Sequence, residues 1–235
     1  MYKSNCDKEK ILKNIEIVLA SPAIPENIGL VARVLKNTSF SNLSLVNPKL
    51  TSKSNEVAKR ARDLIKKAKI YDSLTEAVKS STFVFGSSRR KREYKVSFNF
   101  NEIKHLIICL ASNKRVSIVF GNETFGLSRS EAKDCDSIFC TPANPSFSSY
   151  NLANAVGIVC YEIFNLLDNA HNFCSLNLAK REEYETLFAY MERYLESRTK
   201  KNRVEPTLQS LKRIFLRTHL TKNEVALLKS LFLKA

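Results

Sequence analysis

The sequence predicts an α/β protein: a parallel sheet with helices on both faces, followed by a helical C-terminal extension. Three observations predict it. Short apolar, β-branched runs bounded by Pro, Gly, Ser or Asn recur along the first 142 residues. Stretches of helical periodicity separate them, and strand–helix–strand repetition is the pattern of a parallel sheet covered on both faces. Past residue 168 the β signals stop, and 181–199 and 206–234 read as charged helices. The boundaries that follow are a first domain over 1–168 and an extension over 169–235.

Taken in order, "IEIVLA" (15–20) is the first strand, and 27–37 is a helix with an apolar stripe of Leu30, Val31, Val34 and Leu35. "LSLVN" (43–47) is the second strand and 52–68 a basic helix. A short helix at 74–80 leads to "TFVFGS" (82–87), a helix at 101–111 to "VSIVFG" (116–121), and a helix at 128–134 to "SIFCTP" (137–142). From 148 a longer helix reaches about 168. Leu152, Val156, Cys160, Ile163 and Leu167 mark its buried face, and Ser148 or Ser149 is its expected N-cap. The stripe of the 27–37 helix does not need Asn27, Gly29 or Arg33, which are the first hint of a site.

Composition narrows the function. Thirty-eight Lys and Arg against 23 Asp and Glu leave a formal charge of +15, which favours polyanionic partners, nucleic acid first. The surplus is clustered in "AKRARDLIKKAK" (58–69) and "RRKREYK" (89–95). Neither has the interleaved aromatic residues of a base-stacking platform, so both are expected to contact phosphates. No apolar run approaches the length of a membrane span, and "MYKSNCDKEK" lacks the apolar core of a signal peptide. The expectation is a cytoplasmic protein. Six cysteines without a CxxC pair and three scattered histidines predict no metal site. No GxGxxG or P-loop is present, which excludes a dinucleotide fingerprint and a phosphate-binding lysine loop.

The chain has five glycines, where average usage would give about sixteen. Gly86, Gly121 and Gly126 fall in strand-to-helix loops at the expected carboxyl edge of the sheet, where α/β proteins hold ligands. Each is either an ordinary turn glycine or a place of close backbone approach.

Three stretches, "NIGLVAR" (27–33), "FGNETFGL" (120–127) and "PANPSFSSYNLANAV" (142–156), resemble in order, spacing and preceding strand the three motifs of the SPOUT superfamily of RNA methyltransferases. The resemblance is to its TrmH/TrmJ branch of ribose 2′-O-methyltransferases. The segment "LKRIFLRTHLTKNEVALLKSLFL" (211–233) is similar to the C-terminal helices of the TrmJ group, so nearly the whole chain is covered. The resemblance implies a C-terminal trefoil knot, a homodimer and S-adenosyl-L-methionine as cofactor. It places the cofactor loops at Ser87, Ser88 and Arg89, at Gly121, at Thr141, and at Ser148, Ser149 and Tyr150. Relatives usually carry Leu where this chain has Tyr150, so a bulkier ring must fit or its hydroxyl must find a new partner.

The same resemblance gives Arg33, Asn27, Glu123, Ser149 and Asn151 catalytic roles. Methylating a ribose 2′-OH requires the hydroxyl to lose its proton while the methyl is attacked in line. A guanidinium essentially never deprotonates, so Arg33 is expected to stabilise the developing alkoxide. Asn27 either caps its helix or ties the motif loops together. Glu123 either holds a loop backbone or an arginine, or is solvated. Ser149 and Asn151 either favour the cofactor carboxylate at a helix start or form an ordinary cap. The activity implied is 2′-O-methylation of tRNA at nucleotide 32 of the anticodon loop. The alternatives are an rRNA methyltransferase of the same superfamily and a non-catalytic RNA-binding relative.

Overall fold

Strand β1 (Ile15–Ala20) is buried at every residue, and β6 (Val116–Phe120) is likewise. Strands buried along their whole length can be satisfied only in the middle of a sheet covered on both faces. The structure, a computed structural model, describes residues 5–89, 97–169, 178–218 and 220–233. Its sheet has the order β3-β2-β1-β6-β4-β7-β5, and every pairing is parallel. The other strands are β2 (Asn42–Val46), β3 (Lys69–Tyr71), β4 (Phe83–Ser87), β5 (Ser97–Asn99) and β7 (Ser137–Cys140). The chain steps outward from β1 to β3 and resumes at β4 on the other side. Strand β6 then lies between β1 and β4, and β7 between β4 and β5. The carboxyl ends of β4, β6 and β7 are thereby neighbours, with Ser87 in register with both Phe120 and Phe139.

Helix α1 (Asn5–Asn14) precedes β1, and α2 (Pro25–Asn37) follows it. Proline at the first helical position costs no hydrogen bond, since that N–H has no partner within the helix, so α2 starts two residues before the expected Asn27. Its N-cap is Ile24, without a side-chain cap. Asn27 is therefore not a cap. The expected helix over 52–68 is broken into α3 (Ser52–Ala58), a single 3₁₀ turn (Lys59–Ala61) and α4 (Arg62–Lys67), because Lys59 takes φ +51°. Short α5 (Leu74–Val78) covers one face of the sheet over Val18, Val46, Val84 and Val119. Helices α6 (Phe100–Ala111) and α7 (Arg129–Lys133) each open with a capping box. Rings of Phe100, Phe120 and Phe139 pack together, Phe139 meeting Phe120 edge-on at 6.5 Å.

Helix α8 (Leu152–Asn169) begins four residues later than expected, and Asn151 caps it by accepting from the Ala153 N–H at 2.9 Å. The expected cap at Ser148 or Ser149 is thus displaced to Asn151. Among the described residues no helix is long and apolar enough to cross a membrane. At the amino end of the sheet Glu16, 2% exposed, is held by Ser44 and by Arg115 at 2.5 Å.

The chain divides into two compact units, Met1–Cys174 and Ser175–Ala235. In the second, α9 (Arg181–Arg198), α10 (Lys201–Thr218) and α11 (Lys222–Leu233) bury Tyr184, Leu187, Met191, Leu208 and Val225. The Leu220 N–H donates to the Tyr184 hydroxyl at 2.6 Å, and Thr221 and Glu224 cap α11 reciprocally. The expected helix over 206–234 is therefore two, and the first of them begins at Lys201 and carries Pro206 inside it.

Candidate functional site

At the carboxyl ends of β4, β6 and β7 the loops leave an open cleft. The outer edge of the strands is where an α/β sheet holds its ligands. Each loop has its own lock. After β4, the Ser88 N–H donates to the Phe139 carbonyl at 2.8 Å. After β6, Asn122 and Gly126 exchange backbone hydrogen bonds at 3.1 and 2.8 Å, closing a tight turn. Gly126 has φ +65°, a conformation glycine adopts without strain. Gly121 cannot carry a side chain, since a Cβ there would lie 2.2 Å from the Gly126 carbonyl carbon. After β7, Arg89 Nη1 donates to Ser148 Oγ at 2.6 Å, and the Tyr150 hydroxyl donates to the Pro142 carbonyl at 2.9 Å. The bulkier ring at Tyr150 thus finds a partner, and that partner fastens the loop across its own base.

A hydrogen-bonded chain joins the three motif stretches. The Glu123 carboxylate accepts from the Ala23 N–H at 2.8 Å, the Ile24 N–H at 3.2 Å and the Asn27 side-chain amide at 2.9 Å. Asn27 in turn accepts from the Asn151 amide at 2.9 Å. Asn27 is buried at 3% exposure, so both faces of its amide are used inside the protein. An anion at the start of α2 also complements the helix dipole, which stands in for the missing side-chain cap. Burial raises the Glu123 pKa, but the hydrogen bonds from Asn27 and the Ala23 and Ile24 backbone outweigh it. The carboxyl is therefore held below its ordinary value and stays ionised at neutral pH. Of the two readings of Glu123, the loop-holding one is the one seen.

Ser87, Ser88, Arg89, Gly121, Thr141, Ser148, Ser149 and Tyr150 all line the cleft, and so does Glu123. Asn27 and Asn151 do not line it; Asn27 is tied to Glu123, and Asn151 to Asn27. Arg33 is exposed on α2 and does not line the cleft. Six residues beyond Asn27, it is turned about 120° away around the helix. Gly29 belongs to packing, since a Cβ there would stand 2.4 Å from the Ser54 carbonyl oxygen on α3. Asn122 is a site residue that the sequence reading does not single out. Its amide donates to the Ser21 carbonyl at 2.8 Å, and its oxygen accepts from the Thr124 N–H at 2.9 Å. An asparagine straight after a strand-ending glycine is a turn signal that could have found it. Of "RRKREYK" (89–95) only Arg89 lies within the described residues. Among those residues no group of His, Cys, Asp and Glu could hold a metal ion.

The Thr141 hydroxyl oxygen is buried and has no hydrogen-bond partner among the described residues. Buried hydroxyls are normally paired, so this one, in the lining of the cleft, suits a ligand that carries donors or acceptors. The model of the SpoU rRNA methylase family matches residues 14–161. The chain belongs to that family. A relative from Haemophilus influenzae described as an uncharacterized tRNA/rRNA methyltransferase is 33% identical over 229 residues, covering 94% of each chain. The tRNA (cytidine/uridine-2′-O-)-methyltransferase TrmJ of Salmonella typhimurium is 38% identical over 156 residues, 65% of this chain and 64% of that one. The crystal structure of TrmJ from Z. mobilis ZM4 superposes with a TM-score of 0.66 at 25% identity, over 93% of this chain and 97% of that one. The SpoU methylase match ends inside α8, so it contains β1 to β7 and every residue of the cleft.

Proposed function

We propose that the chain is an S-adenosylmethionine-dependent tRNA ribose 2′-O-methyltransferase acting on a cytidine or uridine at nucleotide 32 of the anticodon loop. The observation that carries this reading is the Glu123–Asn27–Asn151 chain, which ties the three motif loops together at the cleft. The substrate class rests on the likeness to the TrmJ relatives. S-adenosylmethionine supplies an electrophilic methyl group on a sulfonium when bound. Ser87, Ser88, Arg89, Gly121, Thr141, Ser148, Ser149 and Tyr150 hold and orient it, with the Thr141 hydroxyl and loop backbone as hydrogen-bonding groups. Asn27, Glu123 and Asn151 fix the relative positions of the loops, and Arg33 stabilises the ribose alkoxide.

The trefoil knot belongs to this reading. The placement of β6 and β7 between strands that precede them in the chain supports it. So does a cytoplasmic homodimer. Leu30 and Tyr161 are exposed on α2 and α8, two helices that meet where Val34 comes within 3.7 Å of the Cβ position of Gly157. An apolar surface of that kind suits a second copy. Arg33, outside its own cleft, is then available to the cleft of its partner.

The test is transfer of labelled methyl from S-adenosylmethionine to tRNA and, in parallel, to rRNA, with the labelled nucleotide mapped. Label at nucleotide 32 of tRNA is expected. Label in rRNA alone would move the enzyme to another substrate, and no label in either, with cofactor binding also absent, would leave a non-catalytic RNA-binding relative. Arg33→Ala should abolish transfer while S-adenosylmethionine binding is retained. Wild-type turnover in that variant would remove Arg33 from the mechanism.

A further inference from the structure

Lys59 joins α3 to the 3₁₀ turn with φ +51° and ψ −115°. Those angles lie outside every region that a residue with a side chain occupies freely. Glycine would take them without strain, yet the chain places an exposed lysine there. Strain at a surface position with no core to fill points to a use for the side chain it displays.

The surroundings say what the use is. From Lys53 to Lys69 the sequence has seven Lys and Arg against two acids, and Lys59, Arg60, Arg62, Lys66 and Lys67 are all exposed. The end of a helix favours cations, which suits Lys66 and Lys67 at the end of α4 and Lys59 at the C-cap of α3, but it does not require the left-handed backbone that Lys59 takes. Asp63, one of the two acids, is taken up by Lys36 of α2 at 2.6 Å, and the same ammonium donates to the Arg60 carbonyl at 2.9 Å. Lys36 therefore fastens the basic turn to α2 and neutralises the acid within it. Arg33 is exposed three residues before Lys36, on the same side of α2. Exposed Arg33 on α2 and exposed Lys59 and Arg60 on the turn thus belong to one basic edge that the Lys36–Asp63 pair fastens together. Among the described residues the aromatic rings exposed beyond half, Phe125, Phe147 and Tyr161, belong to other segments, so this edge offers charge without base stacking.

We infer that the edge formed by α2, the 3₁₀ turn and α4 binds the sugar–phosphate backbone of the RNA substrate. Lys59 and Arg60 contact phosphates, and the track leads toward Arg33. The inference rests on the methyltransferase reading above and adds to it the path by which the RNA is held.

The test uses the full chain and bulk tRNA. Lys59→Gly, Arg60→Gln and the double variant are compared with wild type for tRNA affinity across salt concentrations, for S-adenosylmethionine affinity and for melting temperature. Removing one phosphate-binding cation should lower the slope of log affinity against log salt by about one. The double variant should bind tRNA on the order of tenfold more weakly at moderate salt, with cofactor affinity unchanged. Lys59→Gly should melt at or above the wild-type temperature while binding RNA less well, a combination that a purely structural lysine would not give. If wild type methylates tRNA and the double variant keeps its affinity, salt slope and KM, the edge is not the RNA surface. If wild type itself neither binds nor methylates tRNA, both this edge and the proposed reaction fall.

Discussion

Glu123 shows how much a single residue can organise, because one carboxylate accepts from two backbone N–H groups and the Asn27 amide. Glu123→Gln keeps the volume but replaces one accepting oxygen with a donor, leaving one of those groups without a partner. With the carboxylate partly solvated, the loss should be about 1 kcal/mol by chemical denaturation, and methyl transfer should fall with it. The folded carboxyl titrates below its ordinary value of 4.5, so its contribution is complete above that pH. It is lost as the pH drops through the lower folded value. Denaturation followed between neutral pH and that window should show a flatter decline in Glu123→Gln than in wild type. Tyr150→Phe removes only the hydroxyl that closes the loop on Pro142, and a several-fold weaker S-adenosylmethionine affinity with little change in stability is expected from titration calorimetry. The cleft-lining positions were legible through the resemblance of the three motif stretches to a known family. The partners of Asn27 were not, since they lie 96 and 124 residues away, and no local pattern carries that information.

At the scale of elements, α2 is pressed so closely onto α3 that the Cβ of an alanine at Gly29 would stand 2.4 Å from backbone oxygen. Gly29→Ala should cost about 1–3 kcal/mol by forcing the helices apart, read as a lower melting temperature. An unchanged melting temperature would mean that the two helices are not tightly packed there. The five long apolar strands were legible from their composition. Strands β3 and β5 were not, because each has three residues and β3 is largely exposed, so neither presents an apolar run. Helix α1 escaped notice because over Lys8–Asn14 its buried residues are Ile11 and Leu12 in an otherwise polar stretch. The break between α3 and α4 was equally hidden, since a lysine at positive φ contradicts every propensity that would place it.

At the scale of the molecule, a ligand that binds only the folded chain stabilises it by mass action. S-adenosylmethionine at a hundred times its Kd should therefore add about 2.7 kcal/mol, seen as a raised melting transition of the unit containing the cleft. No shift at saturating concentration would mean that the cleft does not take it. The architecture itself was readable because alternation of strand and helix is a whole-chain property. The strand order was not, since nothing local says that β6 returns between β1 and β4. That return has a consequence for how the protein is made. Asn27 and Asn151 meet across 124 residues, and at 5–20 residues per second a ribosome needs about 6 to 25 s to deliver the second after the first. For that interval the growing chain owns its first motif and lacks its last, so the cleft is incomplete. The tie between the first and last motif therefore forms only after Asn151 has been synthesised, and a truncated product ending before Asn151 leaves the Asn27 amide oxygen without that partner.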